Sequence, residues 1–154
     1  MKIHTYNAHI VWTGNLGTGT SGYRDYDRGH RVEIEGKPVL SGSADPMFRG
    51  DASAHNPEDL LVASISACHM LWFLHLASDA GLIVTSYEDA AQAQMVFEAN
   101  GAGQFASATL HPRVTIAEGD PAQVNALHKE AHDKCFIARS LNFPVTCEGT
   151  VEQV

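Results

Sequence analysis

The stretch "NPEDLLVASISACHMLWFLHLASDAG", Asn56 to Gly81, constrains the fold more than any other part of the chain. Asn56 is a good N-cap, Pro57 suits the first helical position, and Glu58 and Asp59 sit where the helix dipole favours acids. Gly81 is a C-terminal stop. Between them the spacing predicts a helix of about 22 residues, roughly 33 Å long at 1.5 Å per residue. Leu60, Leu61, Ser64, Cys68, Leu71 and His75 follow helical spacing on one side, and Ile65, Trp72 and Leu76 widen the apolar surface. A helix apolar over most of its circumference belongs in the middle of a molecule. The other segments must therefore be built around it.

Ahead of the helix, "IHTYNAHIVWTG" and "GHRVEIEG" read as strands on either side of the glycine-rich "GNLGTGTSG". In the second, Val32 and Ile34 alternate with charged residues, the pattern of a half-buried strand. Gly36-Lys37-Pro38 turns the chain, and "PVLSGSADPMFRGDASAH" holds a further short strand before a loop, which together predict an antiparallel meander. After the helix, "LIVTSYEDAAQAQMVFEA" and "QFASATLHPRVTIAEG" read as two long antiparallel strands joined by the turn "NGAG". In "DPAQVNALHKEAHDKCFIARSLN", Asp120 caps and Pro121 opens a second helix, whose apolar stripe of Val124, Leu127 and Ala131 runs on to Cys135. "FPVTCEGTVEQV" alternates as one final strand. Runs of strands broken by single helices predict an α+β fold with antiparallel sheets. A chain of 154 residues is expected to form a single domain and to bury a core without disulfide staples.

The net charge of −8, from 10 Lys and Arg against 18 acids, leaves no basic cluster for nucleic acid and disfavours an anionic membrane surface. No run approaches the ~20 consecutive apolar residues of a membrane span, and no apolar run of signal-peptide length follows the N-terminal Lys2. A cytoplasmic protein is expected. Its three cysteines, Cys68, Cys135 and Cys147, are an odd number with no C-x-x-C spacing, which argues against a disulfide framework.

Cys68 has two readings. Free cysteine packs well in cores. A reactive thiol must instead ionise and be reachable, and gains from a second thiol that resolves its sulfenic acid. In mid-helix the dipole gives little help, and apolar surroundings raise a thiol pKa. An arginine could supply the missing stabilisation, and an acid such as Glu58 would hold it in place. Glu58 also has a plain explanation, because helix N-termini favour acids. The nine histidines raise a further reading: His128, His132 and Cys135, at i, i+4 and i+7, could form a three-ligand zinc set. Trp12, Trp72, Phe73 and Phe48 are candidates for a substrate pocket or for the core.

The segment "NPEDLLVASISAC" resembles the motif of the OsmC/Ohr proteins, thiol-dependent peroxidases that favour organic hydroperoxides. In that family Asn-Pro-Glu opens a central helix and the peroxidatic cysteine follows ten residues after the glutamate, the separation of Glu58 and Cys68. A second cysteine near the end of a later helix belongs to the pattern, and Cys135 stands there. The resemblance implies an intertwined homodimer with the long helices central and each active site at the subunit interface. It implies that Cys68 attacks an organic hydroperoxide, that Cys135 resolves the product as a disulfide, and that a dithiol or lipoyl-type reductant restores both, with no cofactor. The family's arginine matches Arg49 in one branch and Arg24, in "SGYRDYDRG", in the other. The chain departs from the family at "KCFIARSL", where Cys-Pro is common. His69, next to Cys68 on the helix, does not face the same way and is no obvious base for it. The alternative is a non-catalytic small-molecule or metal-binding module on the same fold.

Overall fold

The computed structural model of the protein describes residues 2–154. Its chain divides into two units, one ending at Leu60 and the other Leu61–Val154. In the first, β1 (His9–Trp12), β2 (His30–Glu33) and β3 (Leu40–Gly42) form the predicted antiparallel meander, in the order β1-β2-β3. Gly36, at φ 75°, makes the β2–β3 turn, where the Lys37 N–H donates to the Ile34 carbonyl at 3.0 Å. Ile10, Leu16, Tyr23, Val39 and Met47 are all exposed. Among the described residues, every fully buried apolar side chain lies at Ile65 or beyond.

Helix α1 spans Pro57–Asp79, 23 residues, and ends where its caps predict. Asn56 Oδ1 accepts the Asp59 N–H at 2.8 Å. At the other end Gly81 takes φ 74°, and the Leu82 N–H closes on the Ala77 carbonyl at 2.9 Å. Here a left-handed residue is required, and glycine adopts it without a Cβ clash. The side it buries differs from the one the spacing suggests. Ile65, His69, Phe73, Leu76 and Ala77 are buried, whereas Leu71 is 63% exposed and His75 is exposed. Because α1 is apolar all round, periodicity alone cannot choose the inner face. By length and composition α1 could cross a membrane. The same properties suit a helix packed at the centre of a soluble protein.

The long hairpin predicted after α1 is instead four strands in two sheets. Strands β4 (Ile83–Asp89) and β7 (Pro112–Glu118) pair antiparallel, as do β5 (Gln92–Phe97) and β6 (Gly103–Leu110). The breaks fall at Ala90-Ala91 and at His111. Asp89 holds the bend: its Oδ1 accepts the His111 N–H at 2.7 Å, and Pro112 has no N–H to continue a ladder. The final strand is likewise two, β8 (Val145–Cys147) and β9 (Thr150–Gln153). They pair parallel to β6 and β7, giving sheets ordered β5-β6-β8 and β4-β7-β9. The sheets of this unit are thus mixed and not purely antiparallel.

The second helix is shorter than expected. Asp120 Oδ1 caps a 3₁₀ turn, Pro121–Gln123, and α2 then covers Val124–Lys134. Cys135 lies just beyond it with extended backbone (ψ 111°), not on the helix face. One core gathers Phe73, Leu76 and Ala77 of α1 with Val114 and Ile116 of β7 and Val124, Leu127 and Ala131 of α2. A second joins Ile65 to Ala108, Leu110 and Val145. The α+β class is as the element order predicts.

Candidate active site

Cys68 and Cys135 come together. The chain turns at the end of α2 and brings the Cys135 side chain close enough to Cys68 for the two thiols to interact. All three cysteines are free. Cys135 is fully buried and Cys68 half-buried, so solvent reaches the pair through Cys68. Burial, and then Cys68 itself, push the Cys135 thiol up to about 11, while the Ala138 N–H opposes this by donating to its Sγ at 3.4 Å. Cys135 therefore keeps its proton at neutral pH. Leu71 and Trp72 follow Cys68 at i+3 and i+4, one neighbouring face of the helix. Trp72 meets Phe136 edge-on at 5.5 Å, and Leu71 and Phe136 are exposed, so the approach to Cys68 is apolar.

The residues implied for activation lie in the first unit. Arg24 and Arg49 are both exposed; Arg49 sits at a left-handed position, φ 65°, after the turn Pro46–Phe48. Glu58 is half-buried at the start of α1 and lines a cleft of ≈ 360 Å³ with Trp12, Tyr26, Arg28 and Phe48. Glu58 and Cys68 are ten residues apart on one helix, about 15 Å along its axis, so they do not touch within one chain. Arg28 was not among the candidates. Its guanidinium lies over the rings of Tyr23 and Tyr26, 4.4 and 4.1 Å from their centroids, and donates to their carbonyls at 2.7 and 2.5 Å. It lines the Glu58 cleft and a second one, ≈ 550 Å³, that Arg49 also borders. The signal was present in "YRDYDRG", where two tyrosines precede Arg28 by five and two residues. Phe73, the other aromatic candidate, belongs to the core.

The zinc set that the spacing of His128, His132 and Cys135 would allow does not form. His128 faces α1 instead, where its Nδ1 meets His69 Nε2 at 3.0 Å. Cys147 Sγ of β8 is 3.7 Å from the same His69 nitrogen. Phe73 stacks on the His128 ring at 4.1 Å, and Gly149 leaves room for it, since a Cβ there would meet His128 Nε2 at 2.9 Å. His69 Nδ1, His128 Nε2 and the Tyr87 hydroxyl are buried without hydrogen-bond partners, a cost of about 1–3 kcal/mol for each such group. Burial lowers both imidazoles to about 4 and raises the Cys147 thiol to about 11. Asp89 opposes the lowering at both histidines while accepting the Ser66 hydroxyl at 2.5 Å. No sequence spacing links His69, His128 and Cys147; they come from α1, α2 and β8.

This buried pair carries a pH dependence. Each imidazole titrates near 6.5 when unfolded and near 4 when folded. Below pH 6.5 the unfolded chain therefore binds protons that the native chain does not, and stability falls until the native pair protonates near pH 4. The urea midpoint should decline between pH 7 and 4, and less steeply in the His69→Gln/His128→Gln double variant. Parallel profiles would exclude this contribution.

The sequence profile of the OsmC-like proteins matches residues 50–149. This chain belongs to the OsmC-like family. Its fold is similar to that of an OsmC-like protein of unknown function from Vibrio cholerae, with TM-score 0.86, 27% identity, and coverage of 96% of this chain and 100% of that one. It also shares the fold of the organic hydroperoxide resistance protein OsmC from Legionella pneumophila (TM-score 0.70, 18% identity, 99% of both chains). The organic hydroperoxide resistance protein OhrB of Bacillus subtilis is similar too (TM-score 0.63, 17% identity, 96% and 98%). None of the curated proteins matches the sequence. The OsmC-like fold thus includes both organic hydroperoxide resistance proteins and members without a known function. In this OsmC-like protein the pair from α1 and the end of α2 is the candidate reactive centre.

Proposed function

We propose that this OsmC-like protein is a thiol-dependent peroxidase that reduces organic hydroperoxides. The observation that carries the reading is the pairing of a half-exposed Cys68 with a buried, protonated Cys135. Cys68 thiolate attacks the terminal oxygen of the hydroperoxide, the O–O bond breaks, and the alkoxide takes a proton and leaves as the alcohol. The resulting Cys68 sulfenic acid condenses with Cys135, forming the disulfide and releasing water. A dithiol or lipoyl-type reductant returns both thiols and leaves as its own disulfide. The apolar approach past Leu71, Trp72 and Phe136 favours an alkyl or aryl hydroperoxide over hydrogen peroxide.

The working form is a homodimer. Two observations support it. Among its described residues the first unit contributes no fully buried apolar side chain, and a three-stranded sheet needs an apolar face covered to be stable. The Leu71 side of α1 is equally open. A second copy would cover both, and would bring its own Glu58 with Arg49 or Arg24 to Cys68, which Glu58 of the same chain does not reach. The guanidinium stabilises the thiolate and the departing oxygen, and the carboxylate orients it.

Adding one equivalent of cumene hydroperoxide to the reduced protein should consume the oxidant and both thiols, with the Cys68–Cys135 peptide pair found by mass spectrometry. An unchanged thiol titre would reject the activity. If the thiols are lost but the pair is never linked, Cys135 is not the resolving group.

A further inference from the structure

His69, His128 and Cys147 place an Nε2, an Nδ1 and an Sγ within 4.8 Å of one another in the interior, with both histidines at least 96% buried, at 1% and 4% exposure. We propose that these three side chains bind a divalent cation of the zinc class, at a site distinct from the Cys68–Cys135 pair. Two of the three separations are close to those of a tetrahedral site. A tetrahedral zinc ion with Zn–N of 2.0–2.1 Å and Zn–S of 2.3 Å holds two ligand nitrogens about 3.3 Å apart and a nitrogen and a sulfur about 3.6 Å apart. Here the nitrogens are 3.0 Å apart, and Cys147 Sγ is 3.7 Å from His69 Nε2. The third pair, His128 Nδ1 and Cys147 Sγ, lies within 4.8 Å, so a movement of the Cys147 side chain by about an ångström closes the three donors around one ion.

The alternative use of these groups is poor. Two imidazoles buried for a single hydrogen bond between them leave their outer nitrogens unpaired, and neither tautomer is locked by a neighbour. A cation between the facing nitrogens replaces that one bond with two coordination bonds and adds a third from the thiolate. Two imidazoles and a thiolate select a borderline-soft ion, zinc above magnesium or calcium. Three protein ligands leave the fourth position to water, and the buried Tyr87 hydroxyl, which has no hydrogen-bond partner and whose ring lies 6.4 Å from that of His128, can hold it. The ion would tie α1, α2 and β8 together at the centre of the second unit. Adjacent helical residues point about 100° apart, so His69 can ligate while Cys68 stays on the other side.

The test uses the reduced, chelator-stripped full chain titrated with cobalt(II). A single cobalt per chain should bind with a thiolate-to-metal charge-transfer band, and zinc should displace it. Cys147→Ser should remove the band, while Cys68→Ser and Cys135→Ser keep it. A missing band, or one that follows Cys68 or Cys135 instead of Cys147, overturns the proposal and leaves the peroxidase reading as it stands. A measurement on the wild-type chain guards against a variant that fails to fold. Zinc should slow alkylation of Cys147 about tenfold or more while leaving Cys68 labelling unchanged. Equal Cys147 rates with and without zinc would overturn the site.

Discussion

Cys68→Ser is expected to lower hydroperoxide reduction by about a thousandfold or more, equivalent to about 4 kcal/mol of transition-state stabilisation. A hydroxyl of ordinary acidity supplies almost no alkoxide at neutral pH, whereas a thiol supplies a polarisable anion. The two cysteines should differ in how they fail. In Cys135→Ser the half-exposed Cys68 still reacts with the first equivalent of peroxide, so a burst near one turnover per chain should precede a stall. The stalled sulfenic acid should be trapped by dimedone, and excess peroxide should carry it on to sulfinic acid. The measurement is single-turnover consumption of cumene hydroperoxide with mass spectrometry of both thiols. Were Cys68→Ser to keep wild-type rates, the nucleophile would be another group and the pair a packing feature. A burst in Cys68→Ser that disappears in Cys135→Ser would exchange the two roles, against their difference in exposure.

Phe73→Ala is expected to cost about 3–5 kcal/mol of stability. Its side chain is fully buried, stacks on His128 at 4.1 Å and tilts against Tyr87 at 5.6 Å. It sits where α1, α2 and β7 converge, so the cavity has rigid walls on each side. A loss of that size is a large fraction of the ~5–15 kcal/mol that holds a typical domain together. Urea denaturation of the wild type and variant, with the slope compared as well as the midpoint, measures it. Phe73→Leu should recover more than half of the loss because it restores most of the volume. A loss for Phe73→Ala below about 1 kcal/mol would mean that the core collapses around the gap.

Local chemistry is where sequence and structure agree. The limits of α1 follow from Asn56 and Gly81, because capping depends on neighbours within a few residues. The start of the second helical segment follows from Asp120 and Pro121 in the same way. The meander was legible in its turns. The hairpin was not, since nothing in "SYEDAAQAQ" or "LHPRV" announces that Asp89 will accept the His111 N–H and fold two strands into four. "FPVTCEGTVEQV" alternates throughout, yet Glu148 and Gly149 interrupt it so that its halves join different sheets.

By itself the amino-acid order determined the class of fold, the central helix with its caps, and a lone thiol ten residues beyond a helix-opening glutamate. Those properties are set by short-range backbone and side-chain preferences. Only tertiary structure decided that Cys135 leaves the helix to meet Cys68, that His128 turns to His69 and Cys147 and away from Cys135, and which side of an all-apolar helix is buried. Such outcomes depend on packing between residues as far apart as 69 and 147, and sequence periodicity holds no information about a partner on another element.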